Sequence, residues 1–180
     1  MIGIESGKAE LRDYSSEYKM IAEKTINQLE NIIGTKVLKI KHVGSTAIIG
    51  IKAKPIIDIA VGVSSFEIIP KIKPVLEKNG FLYSKTKLNN TVVTFMCEEE
   101  GKRTHNIHFV LFNGERWYEF VGFKNYLNAH PEAAKAYEAL KVELSKKNPD
   151  DVHKYTESKN DFIKDVLNQA EKEGFVRKEI

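Results

Sequence analysis

Residues 42–61 read HVGSTAIIGIKAKPIIDIAV, and this stretch decides the fold. A Gly-Ser-Thr turn at 44–46 leads into a loop marked by Gly50 and Pro55, then into an apolar run broken by one acid, Asp58. Pro55 suits the first position of a strand, since it has no N–H to give to a ladder. Side chains alternate across a strand, so Ile57, Ile59, Val61 and Val63 line one face, and Ile56, Asp58, Ala60 and Gly62 the other. The first set is a core face. The second carries a carboxylate over an unusually small surface, the pattern expected where a ligand or another backbone approaches. An aspartate so placed can equally cap the loop or pair with Lys54.

Working outward, residues 15–33 (SSEYKMIAEKTINQLENII) put Ile21, Ile26, Leu29, Ile32 and Ile33 on one helical face, with Ser15 or Ser16 as N-cap and Gly34 as the stop. Residues 36–43 (KVLKIKHV) alternate as a strand running into the turn. A helix is expected from about Ile69 to Gly80, its early turns limited by Pro70 and Pro74. Residues 89–98 (NNTVVTFMCE) and 103–112 (RTHNIHFVLF) read as two strands pairing antiparallel through a hairpin-length link. Beyond Asn113-Gly114 the pattern turns helical over 115–130, 131–148 and 157–174, with Pro131 at a first-turn position and Pro149 past an end. The fold class is therefore α/β (α+β): a core over 1–114 followed by a C-terminal helical part over 115–180, packed as one unit.

With 180 residues, 42% of them hydrophobic, the chain can bury a proper core. No segment approaches the roughly 20 apolar residues needed to span a bilayer, and the N-terminus lacks an apolar run beside a cleavage site, so a cytoplasmic protein with no membrane partner is expected. Cys97 is the only cysteine, which excludes an internal disulfide and a Cys-based zinc site; it reads as a small hydrophobe on a strand. Net charge is only +3. Its distribution says more: between Glu30 and Asp58 there is no acid, while Lys36, Lys39, Lys41, Lys52 and Lys54 all fall there. Such a stretch suits a phosphate-bearing ligand beside a metal-binding carboxylate, or simply a solvated lysine face.

Gly44 frees the turn for tight conformations and close approach, Ser45 and Thr46 add hydroxyls, and exposed amides there can cradle phosphate oxygens. A phosphate turn facing a carboxylate that holds Mg²⁺ is the basic layout of a nucleotidyl-transfer site. It is not a Walker A loop: five residues separate Gly44 from Gly50, and Ile51 stands where the lysine should follow.

The segment 42–63 resembles the GrpB family, whose members carry a similar His-Val/Ile-Gly-Ser-Thr-Ala run followed by Lys-Pro-Ile-Ile-Asp. The likeness extends to RTHNIHFV (103–110), FKNYLNAHPEAAKAYEALK (123–141) and YTESK (155–159). That family looks like a branch of the nucleotidyltransferase superfamily, whose sites join a Gly-Ser turn to a strand bearing Asp-x-Asp or Asp-x-Glu. The resemblance implies a nucleotidyltransferase-like mixed sheet with flanking helices. Gly44 and Ser45 match the turn and Asp58 the first metal carboxylate, but Ala60 stands where the second should be. On the neighbouring strand Asn106 and His108 share one face and His105 takes the other; His108 is the expected metal ligand or general base beside Asp58. Imidazole ligation would shift preference from Mg²⁺ toward Mn²⁺ or Zn²⁺.

Tyr137 and Lys141, and Tyr155 and Lys159, are each four apart, sharing a helix face wherever the helix is continuous. By the resemblance, Gly44, Ser45, Thr46, Lys54, Lys141 and Lys159 are the expected phosphate contacts, with His42, Asn106 and Tyr155 orienting them. Lys124 and Asn128 occupy positions where arginines are expected in relatives. The leading expectation is metal-dependent transfer of a nucleotide from a nucleoside triphosphate to an acceptor, with Mg²⁺ or Mn²⁺. The alternatives are a catalytically degenerate nucleotide or metabolite sensor and, last, an RNA-binding module, which lacks clustered arginines and an aromatic stacking strand.

Overall fold

In the computed structural model, which describes residues 2–84 and 91–176, the helical period of residues 15–33 becomes α1, Glu17–Ile33. Tyr18, Ala22, Leu29 and Ile33 form its buried face, Ser15 Oγ accepts from the Glu17 N–H at 3.2 Å, and Gly34 ends it. Among the described residues there are six strands: β1 (Ile4–Glu5), β2 (Lys39–Val43), β3 (Ile57–Val63), β4 (Leu82–Tyr83), β5 (Val93–Glu99) and β6 (Lys102–Leu111). They form one mixed sheet in the order β2-β3-β6-β5-β4, with β1 added to the start of β6. Of these, β3 and β6 run parallel and the other pairs antiparallel. The two-residue strands β1 and β4 were not foreseen, being too short to show alternation. Residues 89–90 of the expected strand lie outside the described residues.

Helix α2 (Ile69–Lys78) lies in the connection between β3 and β6, with Pro70 in its first turn and Pro74 inside it. One sheet face carries Ile57, Ile59, Val61, Val63, Phe95, Ile107 and Phe109 against Leu29 and Ile33 of α1 and Ile72 and Leu76 of α2. This is the main core, where truncating a residue such as Phe109 to alanine costs about 3–5 kcal/mol. Cys97 packs at its margin as expected, and burial pushes its thiol up to about 12.

The C-terminal part holds α3 (Glu115–Ala129), α4 (Pro131–Lys147), α5 (Val152–Glu157) and α6 (Asn160–Lys172). Pro131 opens α4, where its missing N–H costs nothing. Trp117 of α3 is fully buried against Val43, Ala60 and Val110, which covers part of the second sheet face. The loop after the Gly-Ser turn joins the helices: Ile48 and Ile51 are buried with Phe123, Tyr126, Leu127, Tyr137 and Val166. Among the described residues no helix is long and apolar enough to cross a membrane.

The condition set for Tyr155 and Lys159 is not met, and the helix expected over 157–174 begins later: α5 ends at Glu157, Ser158 caps it, and Lys159 is the N-cap of α6.

Candidate functional site

The register of three strands builds the site. Asp58 pairs with Asn106 across the parallel β3–β6 ladder and Ala60 pairs with His108, which in turn faces Thr94 on β5. Directly paired residues share a face, so Asp58, Asn106, His108 and Thr94 gather on one side, while His105 turns to the other. There the His105 ring meets Thr25 of α1 at 3.1 Å. Burial pushes the imidazole down to about 4, so His105 is neutral and belongs to the core interface.

Asp58 Oδ1 accepts two hydrogen bonds, from Asn106 Nδ2 at 2.9 Å and from His108 Nε2 at 3.2 Å. The second ring nitrogen of His108 lies 3.1 Å from the Thr94 hydroxyl, and Phe120 of α3 stacks on the ring with centroids 5.1 Å apart. Both imidazole nitrogens thus face protein partners. Burial pushes the Asp58 carboxyl up, but His108, Asn106 and the nearby Lys54 more than offset it and hold the group below the usual carboxylate range. Its side chain is 26% exposed, so the ionised group can be reached from solvent.

Oδ2 points at the turn. Gly44 has φ +72°, and a Cβ placed on it would sit 2.5 Å from Asp58 Oδ2. Glycine is required twice there, for the left-handed backbone and for the carboxylate lying against it. Ser45, Thr46 and Ala47 then form one 3-10 turn. His42 Nε2 meets Thr46 Oγ1 at 3.0 Å, and that hydroxyl donates to the Ile56 carbonyl at 3.2 Å, tying the turn to the strand it precedes. Burial pushes His42 down to about 4, leaving a neutral imidazole in that role. Thr46 is therefore buried in the turn's own bracing and does not face the cleft.

The helical part closes on this turn. The Tyr137 hydroxyl of α4 shares a hydrogen bond with Ser45. Asn128 of α3 accepts from the Ile49 N–H at 2.9 Å and donates to the Ala47 carbonyl at 2.9 Å. Lys141 Nζ lies 4.6 Å from the Tyr137 ring and donates to the Lys52 carbonyl. Two lysine amines lie over the Tyr155 ring, that of Lys159 at 4.4 Å and that of Lys54 at 5.7 Å from its centroid. The break between α5 and α6 does not separate Tyr155 from Lys159.

These lysines press on one another. Burial and the Lys159 charge lower Lys141 to about 7; burial and Lys54 lower Lys159 to about 8, with Asp58 opposing; burial lowers Lys54 as well. Glu138 offsets the charge of Lys141, so three amines face two carboxylates, Asp58 and Glu138, and in these partly buried surroundings leave an excess of positive charge that an anion would relieve. By contrast, two clefts away from Asp58 hold paired surface charges, Lys8 with Asp150 and Lys147 with Glu143.

The small residues on β3 have a different cause from the one expected. Gly62 is small because a Cβ there would meet Phe112 at 2.9 Å and Trp117 at 3.2 Å, and Ala60 is sealed under the same Trp117. Packing by α3, not ligand approach, occupies the position of a second carboxylate. Among the described residues no group of three or more His, Cys, Asp or Glu side chains is arranged to hold a metal ion. Asp58 fits a divalent cation only as one ligand, with phosphate oxygens and water completing the shell, a coordination habitual for Mg²⁺.

Sequence reasoning singled out Asp58, His108, the turn and the lysines, but missed Thr94, Phe120 and the Asn128 clamp. Thr94 becomes visible only once the β5–β6 register is known, and Phe120 and Asn128 only once α3 is docked.

The sequence model of the family described as "GrpB protein" matches residues 8–169. The glutamate-rich protein GrpB of Alkalihalophilus pseudofirmus is 39% identical over 94% of this chain and 99% of its own. The crystal structure of conserved protein GrpB from Enterococcus faecalis superposes with a TM-score of 0.84 at 29% identity, over 92% of this chain and 99% of that one. The Cid1 poly(U) polymerase, solved with MgATP, superposes with a TM-score of 0.52 at 14% identity, over 74% of this chain and 44% of that chain. The last likeness is one of fold.

Proposed function

For a chain that belongs to the GrpB family and has a nucleotidyltransferase-like fold, we propose metal-dependent binding of a nucleoside triphosphate and transfer of its nucleotide to an acceptor. The phosphate tail lies between the Ser45 turn and the amines of Lys54, Lys141 and Lys159. Asp58, through Oδ2, holds one Mg²⁺ or Mn²⁺ whose other ligands are phosphate oxygens and water. When bound, that ion screens phosphate charge and favours in-line displacement. The chain's own residues do the rest: the turn amides and lysines align the leaving phosphates, and Tyr137 and Asn128 keep the turn in place. The observation that carries the reading is the meeting of two charge-frustrated lysines, Lys54 and Lys159, with one ionised carboxylate beside a glycine turn, while a third, Lys141, presses on Lys159.

A second reading, a nucleotide or metabolite sensor without turnover, draws on Ala60. With Trp117 over the second acidic position, the site has one carboxylate where two-metal transfer uses several.

Calorimetry with each of the four nucleoside triphosphates, with Mg²⁺, with Mn²⁺ and without metal, tests both readings. The expected result is saturable binding strengthened by metal, with the metal effect lost in Asp58→Ala and the affinity lowered in Lys141→Met. Absence of binding by the wild-type chain in every condition rejects transfer and nucleotide sensing alike. Binding without release of pyrophosphate in the presence of a hydroxyl- and amine-bearing acceptor panel favours the sensor.

A further inference from the structure

A carboxylate can only accept hydrogen bonds, so the nitrogen of His108 facing ionised Asp58 must carry a proton. The other nitrogen, Nδ1, faces the Thr94 hydroxyl at 3.1 Å, a group able to donate to it. Phe120 stacked on the ring and the paired strands on both sides hold the imidazole in that orientation. With Nε2–H given to Asp58 and Nδ1 engaged by Thr94, neither ring nitrogen is left for a metal or for a substrate proton.

We propose that His108 is a positioning residue, held by Thr94 and Phe120 with its Nε2–H toward Asp58, which together with Asn106 engages one oxygen of Asp58 and so presents the other, Oδ2, to the ligand. This replaces the sequence expectation of His108 as metal ligand or general base. It rests on the reading of Asp58 as the cation-facing group, but its first test needs no ligand. Two donors on Oδ1 fix the carboxylate plane, while Oδ2 stays against Gly44 with no hydrogen-bond partner among the described residues. Thr94 acts at one remove, since without its hydroxyl the buried Nδ1 loses its partner and the ring its fixed orientation.

Two-bond ¹H–¹⁵N correlation of the histidine rings in the full chain, at about pH 8, reads which ring nitrogens carry a proton. The expected result is a His108 ring protonated at Nε2 in the wild type and in Thr94→Ser, with a mixed or altered pattern in Thr94→Val. A wild-type ring protonated at Nδ1 alone, which would turn a bare nitrogen toward Asp58, overturns the proposal. On saturation with MgATP the Nε2 proton is expected to stay, and its loss to metal overturns the proposal too. Affinity supplies an independent arm. Glutamine can donate to Asp58 but cannot act as a base, so His108→Gln is expected to bind MgATP within about threefold of wild type, whereas His108→Leu loses about tenfold or more. Equal losses in both variants, with both folded by circular dichroism, overturn it. If no nucleotide binds at all, the proposed function falls while the tautomer measurement still decides this assignment.

Discussion

Gly44→Ala separates the two demands made on the turn. The first is conformational: at φ +72° and ψ −172°, a region essentially confined to glycine, an L-residue costs about 1–3 kcal/mol. The second is steric, because the new methyl would lie 2.5 Å from Asp58 Oδ2 and 2.9 Å from its Cβ, so the carboxylate must turn out of its present seat. Turning weakens its bonds to Asn106 and His108, and hydrogen bonds to a charged group are worth about 1.5–3 kcal/mol each; partial loss of the pair gives about 2 kcal/mol. Gly50, in the same loop, is the internal control. It has φ +79°, and a methyl added there would meet nothing within 4 Å, so Gly50→Ala carries the conformational cost alone. Denaturant unfolding at constant m-value should show Gly50→Ala losing about 1 kcal/mol and Gly44→Ala about 3 kcal/mol. In an Asp58→Ala background the Gly44→Ala penalty should shrink by about 2 kcal/mol, since the carboxylate that must move is gone. Equal losses at the two glycines, or additivity with Asp58→Ala, would refute the claim that Gly44 is glycine because of Asp58.

Lys141 is 1% exposed with its amine lowered to about 7, so the unfolded chain binds more protons than the folded one between about pH 7 and 10.5. Stability should therefore rise with pH from about 7 upward, and urea titrations of Lys141→Met should show that rise flattened. His42 and His105, both lowered to about 4, work at the acid end. The unfolded chain takes up their protons from about pH 6.5 downward and the folded chain only near 4, so stability is lost across that window, and Tm against pH should fall less steeply in His105→Gln. Cys97, with its thiol pushed up to about 12, should resist iodoacetamide at pH near 8 until the chain is unfolded; fast alkylation of the native protein would contradict its placement.

The elements that the sequence discloses are those whose periodicity outlasts their ends. α1, β3, β6, α3 and α4 are long and patterned, and Asp58 stands out because it interrupts an apolar strand. What escaped depends on distance in sequence. The pairing of Thr94 with His108 needs the hairpin register, including the irregularity at Cys97/Glu98. The smallness of Ala60 and Gly62 belongs to Trp117, more than fifty residues away, and no local pattern distinguishes a side chain packed from outside from a ligand. The break at Ser158 hides in a segment with no glycine or proline to mark it. The lysines could be nominated only through the family likeness, because an exposed and a buried lysine read the same in a sequence.

Between the Ser45 turn and β3 the chain dips away from the sheet, and Ile48 and Ile51 are buried in the helical cluster. The turn is thus moored on both shores: its entrance hangs from β2, its exit is riveted among α3, α4 and α6. A ligand that settles on it acts as a latch across the seam between sheet and helices, and linkage makes occupancy and cohesion one variable. Amide exchange in α3, none of whose residues is among the proposed ligand contacts, should slow as the turn fills.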